Sequence, residues 1–231
     1  MEAKDFALER MRACSEFAHS ARHELMTPIS ALTMLLSADG LSHDSGESSL
    51  QEQSLAALQR ITRLVRSCVD YVDSDLPLPS LATVDCNELI AEAEALVRQG
   101  SDAKFARATI EVRGNLPRLK GHAPSLCRVF AALLDNGIRY SQEATAQVLV
   151  AAAVDGDGWR IEFADNGIGV EESKLEAVFS PFQRQHAYDA IPGIGLSLAT
   201  ARRIARRHGG DLGLRNRAGS GVIAWVRLPR I

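Results

Sequence analysis

A histidine, an acidic residue and a threonine form the first group in this sequence whose types and spacing suit chemistry. His23, Glu24 and Thr27 stand just before Pro28. On a helix, His23 lies about 200° from Leu25, so it points away from an apolar core toward water. An exposed imidazole in its neutral form can act as a nucleophile. Glu24 can accept the ring proton. The alternative is a surface histidine beside a helix kink.

A second group of residues suits the binding of a nucleotide. Asn136, Arg139 and Tyr140 end a predicted helix and offer an amide oxygen for Mg²⁺, a cation for phosphate and a ring for a base. The segment 165–169 (Asp-Asn-Gly-Ile-Gly) places a carboxylate at a strand end, where glycines let a ligand approach the backbone.

Two further stretches follow along the chain. Phe179-Ser180-Pro181-Phe182 sets two aromatic rings beside a proline, and the segment 193–198 (Gly-Ile-Gly-Leu-Ser-Leu) opens a helix. Free backbone N–H groups at the start of a helix can hold phosphate. Each stretch alone is a weak signal, and their order and spacing carry more weight.

Two long helices must position His23. Apolar residues recur at helical spacing through residues 5–38, at positions 17, 21, 25, 28, 32 and 35, and again from about 50 to 73, at 58, 61, 65, 68 and 72. A polar turn, Asp39 to Ser49, separates them. The pattern predicts an antiparallel helical hairpin. Because a lone hairpin leaves apolar stripes in water, we expect a homodimer that forms a four-helix bundle.

The nucleotide-type residues belong to a different architecture. The prolines of the segment 76–80 (Leu-Pro-Leu-Pro-Ser) cannot continue a helix. We therefore predict a hairpin domain over 1–75, a linker over 76–83 and a second domain over 84–231. Helices are expected near 86–99, 124–140 and 195–208. Strands are expected near 108–113, 117–121, 145–154, 158–165, 211–217 and 221–228, with a hairpin turn at 155–158. This mixture predicts an α+β sandwich with helices on one face of a mixed sheet.

Composition excludes several classes of protein. The net charge of −3 gives no basic field for nucleic acid, and no run of eighteen apolar residues predicts a membrane span. The four cysteines show no C-x-x-C spacing, as expected of a protein in a reducing cytosol. We expect a cytoplasmic location, either as an independent protein or as the cytoplasmic part of a larger or membrane-attached sensor.

The order of these motifs resembles that of the sensor histidine kinases of two-component signalling, from about residue 5 to 228. The segment His23 to Pro28 is similar to the family's H box and the segment 134–141 to its N box. Asp165 to Gly169 and the segment 193–198 are similar to its two glycine boxes, and Phe179 to Phe182 to its F box.

The resemblance implies a Bergerat-type ATP-binding fold and a role for each motif residue. Asn136 would ligate Mg²⁺, and Asp165 would accept a hydrogen bond from the adenine amino group. The other nucleotide contacts would come from Arg139, Tyr140, Gly167, Ile168, Gly169, Gly193, Gly195 and Leu196. The segment from about Gln183 to Pro192 would be a short lid over ATP.

The resemblance also implies the reaction. Phosphate would pass from ATP to His23 and then to an aspartate of a response-regulator receiver domain. Thr27 would orient water in a phosphatase reaction toward that regulator.

The sequence departs from the family pattern at three positions. Ala132 stands where many relatives carry a polar residue, Ser197 replaces a glycine, and Pro192 precedes Gly193. A non-catalytic histidine phosphotransfer or scaffold protein is the main alternative, although the nucleotide-type residues favour a kinase. An ATPase of the gyrase or chaperone type leaves His23 and its hairpin unexplained.

Overall fold

The computed structural model of the chain describes residues 2–38, 47–78, 80–99, 103–184 and 193–230. The chain divides into two compact units, between Asp70 and Tyr71. The domain limits predicted from the sequence stay a prediction. Within the described residues, no helix is long and apolar enough to cross a membrane.

Two long helices make up most of the first unit. Helix α1 spans Glu2–Ala38 and helix α2 spans Glu47–Asp73, whose last residues belong to the second unit. Helix α1 continues through Pro28, whose missing N–H removes one backbone hydrogen bond without ending the helix. The predicted turn from Asp39 to Ser49 lies largely outside the described residues, and α2 begins inside it, at Glu47.

The apolar stripe predicted for α1 is observed, whereas the one predicted for α2 is only partly right. On α1, Pro28 is buried and the other five stripe positions are half-buried. On α2, Ile61 and Cys68 are half-buried and Leu64 is fully buried. Helix α2 has a second, exposed apolar face made of Leu55, Leu58, Val65, Val69 and Val72. Three of these five residues, at positions 58, 65 and 72, belong to the predicted stripe.

In the described residues of the second unit, two sheets combine with four α-helices. Its helices are α3 (Cys86–Arg98), α4 (Ala103–Arg107), α5 (Ala123–Arg139) and α6 (Ser197–Arg207). Strands β1 (Ala82–Asp85) and β3 (Arg118–Gly121) form an antiparallel pair. The main sheet has the order β2-β4-β5-β7-β6 and contains β2 (Thr109–Arg113), β4 (Gln147–Asp155), β5 (Gly158–Asp165), β6 (Asp211–Asn216) and β7 (Val222–Pro229). Only its β2–β4 pair is parallel.

The sheet and three helices share one hydrophobic core. Buried residues of α3, α5 and α6 cluster with alternate residues of the main sheet, among them Phe130, Phe163 and Val226. The rings of Phe130 and Phe163 meet edge to face at 5.5 Å, a favoured aromatic geometry. The predicted α+β architecture with a mixed sheet is confirmed.

A buried histidine ties α6 to the start of α5. The Nε2 atom of His208 accepts the backbone N–H of His122 at 3.1 Å, and its Nδ1 lies 2.8 Å from the Ile204 carbonyl. These partners require a neutral ring with the proton on Nδ1. Burial is the largest cause that lowers the pKa of His208, and His122 and Arg207 lower it further.

The free energy of unfolding is therefore expected to fall on acidification. Since the pKa of His208 is lower in the folded state, its stabilising effect is present above about pH 6.5 and is lost as the pH falls toward the folded pKa. The slope for this one proton is at most about 1.4 kcal/mol per pH unit. Urea titrations from pH 7.5 to 5.0 should show that the free energy of unfolding of the parent chain falls with pH. The same free energy should depend less on pH in His208→Gln. Parallel profiles would contradict the role of His208.

Candidate functional site

The end of α5 and the end of β5 lie against each other. Gly137 makes this approach possible, because a Cβ at this position would lie 2.9 Å from a methyl carbon of Val148 and 3.3 Å from the Cβ of Asp165. The Tyr140 carbonyl accepts the Ile168 N–H at 3.2 Å. Two segments predicted separately from the sequence are thus brought together.

Asp165 is the buried charged group of this site. Its Oδ1 accepts the backbone N–H groups of Gly167 and Val222, at 2.9 and 2.8 Å. Burial is the largest cause that raises its pKa, and the two N–H groups and the Arg217 cation oppose that rise. With Oδ1 occupied, Oδ2 is the oxygen left on the side of Gly137 for a ligand.

The loop between β6 and β7 holds the segment that follows Asp165. The Asn216 side chain exchanges two hydrogen bonds with the backbone of Val170, one from the Val170 N–H at 2.9 Å and one to its carbonyl at 2.6 Å. The Ser220 hydroxyl donates to the Gly167 carbonyl at 2.8 Å. Sequence analysis did not find Asn216. A polar residue at the end of a strand was its only signal.

The segment 193–196 passes closely over the segment Phe179–Gln183. Gly195 has φ of +78°, and a Cβ there would lie 2.9 Å from the Gln183 carbonyl oxygen, so only glycine fits. The Gly195 carbonyl accepts the Phe182 N–H at 2.8 Å. The Phe179 to Phe182 motif and the second glycine motif therefore contact each other, just before α6 begins at Ser197. Residues 185–192 of the predicted lid lie outside the described residues.

Two cations border these segments. A guanidinium nitrogen of Arg184 would lie 4.0 Å from a Cβ at Gly193. Arg217 donates to the Asp165 carbonyl at 3.4 Å. Arg184 lies within the segment predicted as the lid, whereas Arg217 belongs to no predicted motif.

Asn136 fits the binding of a metal together with a nucleotide. Its side-chain nitrogen is buried and has no hydrogen-bond partner within the described part of the chain. This NH₂ group is a donor, so it is available to an acceptor such as a phosphate oxygen. The amide oxygen is the atom that would suit Mg²⁺, which usually takes one or two protein ligands plus phosphates. The described residues contain no cluster of three or more acidic, histidine or cysteine side chains that could hold a metal unaided.

Arg139, expected to contact phosphate, is held by neighbours. Its guanidinium binds both oxygens of Asp135, at 2.9 and 2.6 Å, and lies 5.4 Å from the ring centre of Phe105. The pairing fixes the guanidinium against Asp135 and Phe105. Its expected contact with phosphate remains a prediction.

The histidine site lies on α1, in the first unit. His23 is exposed, and the Thr27 hydroxyl donates to the His23 carbonyl at 3.2 Å. A carboxylate oxygen of Glu24 lies 4.0 Å from Arg60 of α2, with 15% of the Glu24 side chain exposed. The His23 side chain is therefore exposed to solvent, whereas the neighbouring Glu24 carboxylate is sheltered and paired.

Comparison with known proteins supports a single family. Residues 121–231 match the model of the histidine kinase-, DNA gyrase B- and HSP90-like ATPases. The sensor protein CutS of Streptomyces coelicolor is 30% identical over 97% of this chain and 56% of its own length. The alginate biosynthesis sensor protein KinB of Pseudomonas aeruginosa is 29% identical over 96% of the chain and 38% of its own length. The chain thus spans little more than half of these relatives at most.

Solved structures agree in fold. The histidine kinase ThkA, in complex with the response regulator TrrA, superposes with a TM-score of 0.78 at 19% identity, over 100% of this chain and 66% of that one. The Acinetobacter baumannii histidine kinase AdeS gives 0.67 at 21% identity, over 90% of this chain and 97% of that one. Together, the ATPase family match and the similarity to sensor proteins over nearly the whole chain support a sensor histidine kinase catalytic region.

Proposed function

We propose that this chain phosphorylates His23 with the γ-phosphate of ATP and passes the phosphoryl group to an aspartate of a response-regulator receiver domain. The observation that carries the proposal is the buried Asp165 carboxylate. One of its oxygens is fixed by two backbone N–H groups and the other is left for an adenine amino group. The exposed His23 supplies the acceptor of the phosphoryl group.

The reaction needs little covalent chemistry from the chain. A nitrogen of the neutral His23 ring attacks the γ-phosphorus while the bond to the leaving ADP oxygen breaks, and the other ring nitrogen gives up its proton to Glu24. Positioning and neutralisation of charge provide most of the catalysis in such transfers. Mg²⁺, held by Asn136 and the ATP phosphates, would neutralise phosphate charge. The receiver aspartate then takes the phosphoryl group from His23.

Arg60 affects the role proposed for Glu24. The 4.0 Å separation is a loose contact, which leaves the carboxylate able to turn toward the His23 ring. We propose that Arg60 positions Glu24 in this way.

We further propose that the chain is a homodimer joined through a four-helix bundle. The exposed apolar face of α2 defined above supports this proposal, because its residues recur at helical spacing and remain in water in a single chain. Met26 and Ile29 of α1 are also exposed, at 53% and 40%. Sedimentation velocity tests the homodimer directly, since a mass of one chain would contradict it.

We also propose a cytoplasmic location for the chain.

The experiment that tests the function is incubation of the purified chain with labelled Mg-ATP. We expect incorporation of phosphate that is lost in acid and kept in alkali, as a phosphoramidate should be. If the chain neither binds ATP nor labels itself, but accepts phosphate from another kinase, it is the non-catalytic phosphotransfer or scaffold protein instead.

Thr27→Ala is expected to keep most kinase activity and to lose most phosphatase activity toward the phosphorylated regulator. Only the second reaction needs a hydroxyl to orient water near His23. The hydroxyl also donates to the His23 carbonyl, which supports the competing structural role beside Pro28. If that role dominates, the melting temperature and both activities fall together.

Assays of both reactions and of melting on one preparation of Thr27→Ala decide between the two roles, with Thr33→Ala as the control. Thr33 makes the same contact, 2.9 Å to the Ile29 carbonyl, away from the histidine.

A further inference from the structure

We infer that Lys104 is a positioning residue for the nucleotide site, one that holds the end of α5 in place from the neighbouring short helix α4. The inference rests on the proposed ATP-binding function of Asn136, Arg139 and Tyr140, which lie at that end. Lys104 belongs to none of the motifs that the sequence analysis selected.

The contacts of Lys104 fall on both sides of Tyr140. Its ammonium donates to the Arg139 carbonyl at 3.0 Å and to the Ser141 carbonyl through a short hydrogen bond. The carbonyl between them, that of Tyr140, accepts the Ile168 N–H. Three consecutive carbonyls are therefore fixed, two by Lys104 and one by the segment that follows Asp165.

A cation is well suited to this place. The last carbonyls of a helix lack partners within the helix and carry the negative end of its dipole. Each hydrogen bond from an ammonium group to such a carbonyl is charge-assisted and stronger than a neutral one. Lys104 thus stabilises the one turn of α5 that holds Asn136 and Arg139.

Helix α4 is itself anchored, so Lys104 has a firm base. The Arg98 guanidinium of α3 donates to the carbonyls of Phe105 and Ala108, at 2.8 and 3.0 Å. Phe105 is 4% exposed, and its ring lies beneath the Arg139 guanidinium. Neighbouring residues of α4 therefore fix both the backbone and the side chain of Arg139.

Removal of the Lys104 ammonium should weaken the binding of ATP and leave the rate of phosphoryl transfer nearly unchanged. Without it, the last turn of α5 frays in the absence of ATP, and ATP must order that turn when it binds. We expect Lys104→Met, which keeps the aliphatic stem, to bind Mg-ATP about tenfold more weakly. The KM for ATP should rise by a similar factor, while kcat at saturating ATP stays within about twofold.

The test uses the whole chain, calorimetry with Mg-ATP and hydrogen exchange without nucleotide. Exchange at the amides of Tyr140, Ser141 and Ile168 should be faster in Lys104→Met than in the parent. Lys120→Met, at an exposed lysine of β3, is the matched control and should change neither quantity. Lys104→Arg should recover most of the affinity, since it restores a cationic donor.

The outcomes separate this inference from the proposed function. If the parent chain does not bind ATP, the proposed function fails, while hydrogen exchange still tests the hold on α5. If the parent binds ATP and Lys104→Met binds it equally well, or exchanges at the parental rate, the inference is wrong. Loss of cooperative melting in Lys104→Met would also overturn it, because Lys104 would then support the whole unit.

Discussion

Replacement of His23 by glutamine is expected to abolish autophosphorylation and to leave ATP affinity unchanged. Glutamine has a similar length and a polar amide that can form hydrogen bonds, but it has no nucleophilic ring nitrogen. His23 is exposed on α1, and the nucleotide-type residues all belong to the second unit, so its loss should not disturb them. Labelling with Mg-ATP should fall to background, a loss of at least about a thousandfold in rate.

A second histidine on the same helix provides the control. His19 lies one turn before His23, is also exposed, and has its Nδ1 atom 3.3 Å from Arg22. His19→Gln should label at the parental rate. If the His23→Gln chain labels fully while the His19→Gln chain does not, the phosphorylated residue has been assigned to the wrong histidine.

Periodic patterns explain how much of the fold the sequence could predict. The α5 stripe and the alternation along β5 each repeat over eight or more residues, so the predicted bounds lie within two residues of the observed ones. The Asp-Gly turn at 155–158 predicted the β4–β5 hairpin, which pairs Asp155 with Gly158. By contrast, β1 has four residues and α4 five, too few for any period to appear.

The site was predictable in its residue types but not in its contacts. The Asp135–Arg139 pair has the i,i+4 spacing of a helical ion pair, and the sequence could have indicated it. The Val222 N–H that fixes Asp165 comes from 57 positions further along the chain, and Lys104 reaches Ser141 across 37 positions. Such contacts depend on how the elements pack, which no local pattern contains.

The same packing explains why Asp165→Asn should weaken ATP binding far more than it weakens folding. The N–H groups of Gly167 and Val222 both require an acceptor, so the asparagine must turn its carbonyl oxygen toward them. Its NH₂ group then replaces Oδ2 and faces the adenine amino group, donor against donor. We expect a loss of about 1.5–3 kcal/mol, roughly ten- to a hundredfold in affinity.

Calorimetry measures the effect of Asp165→Asn on ATP affinity, and thermal melting measures its effect on stability, on one preparation. Little change in melting is expected, because burial already disfavours the charge of Asp165 and asparagine retains both backbone contacts. Asp157→Asn is the control, since Asp157 lies at the opposite end of β5, 91% exposed, and pairs with Arg227. If Asp165→Asn binds ATP like the parent, Asp165 does not contact the base.

Comparison of ATP with GTP separates loss of this one contact from general damage to the pocket. Adenine carries an amino donor at the position where guanine carries a carbonyl acceptor. The Asp165 carboxylate accepts from the first and repels the second, whereas the NH₂ group of an asparagine repels the first and can donate to the second. Asp165→Asn should therefore lower ATP affinity and raise the ratio of GTP to ATP affinity by at least about tenfold. A damaged pocket would weaken both nucleotides equally and leave that ratio unchanged, and this result would remove the base-reading role from Asp165.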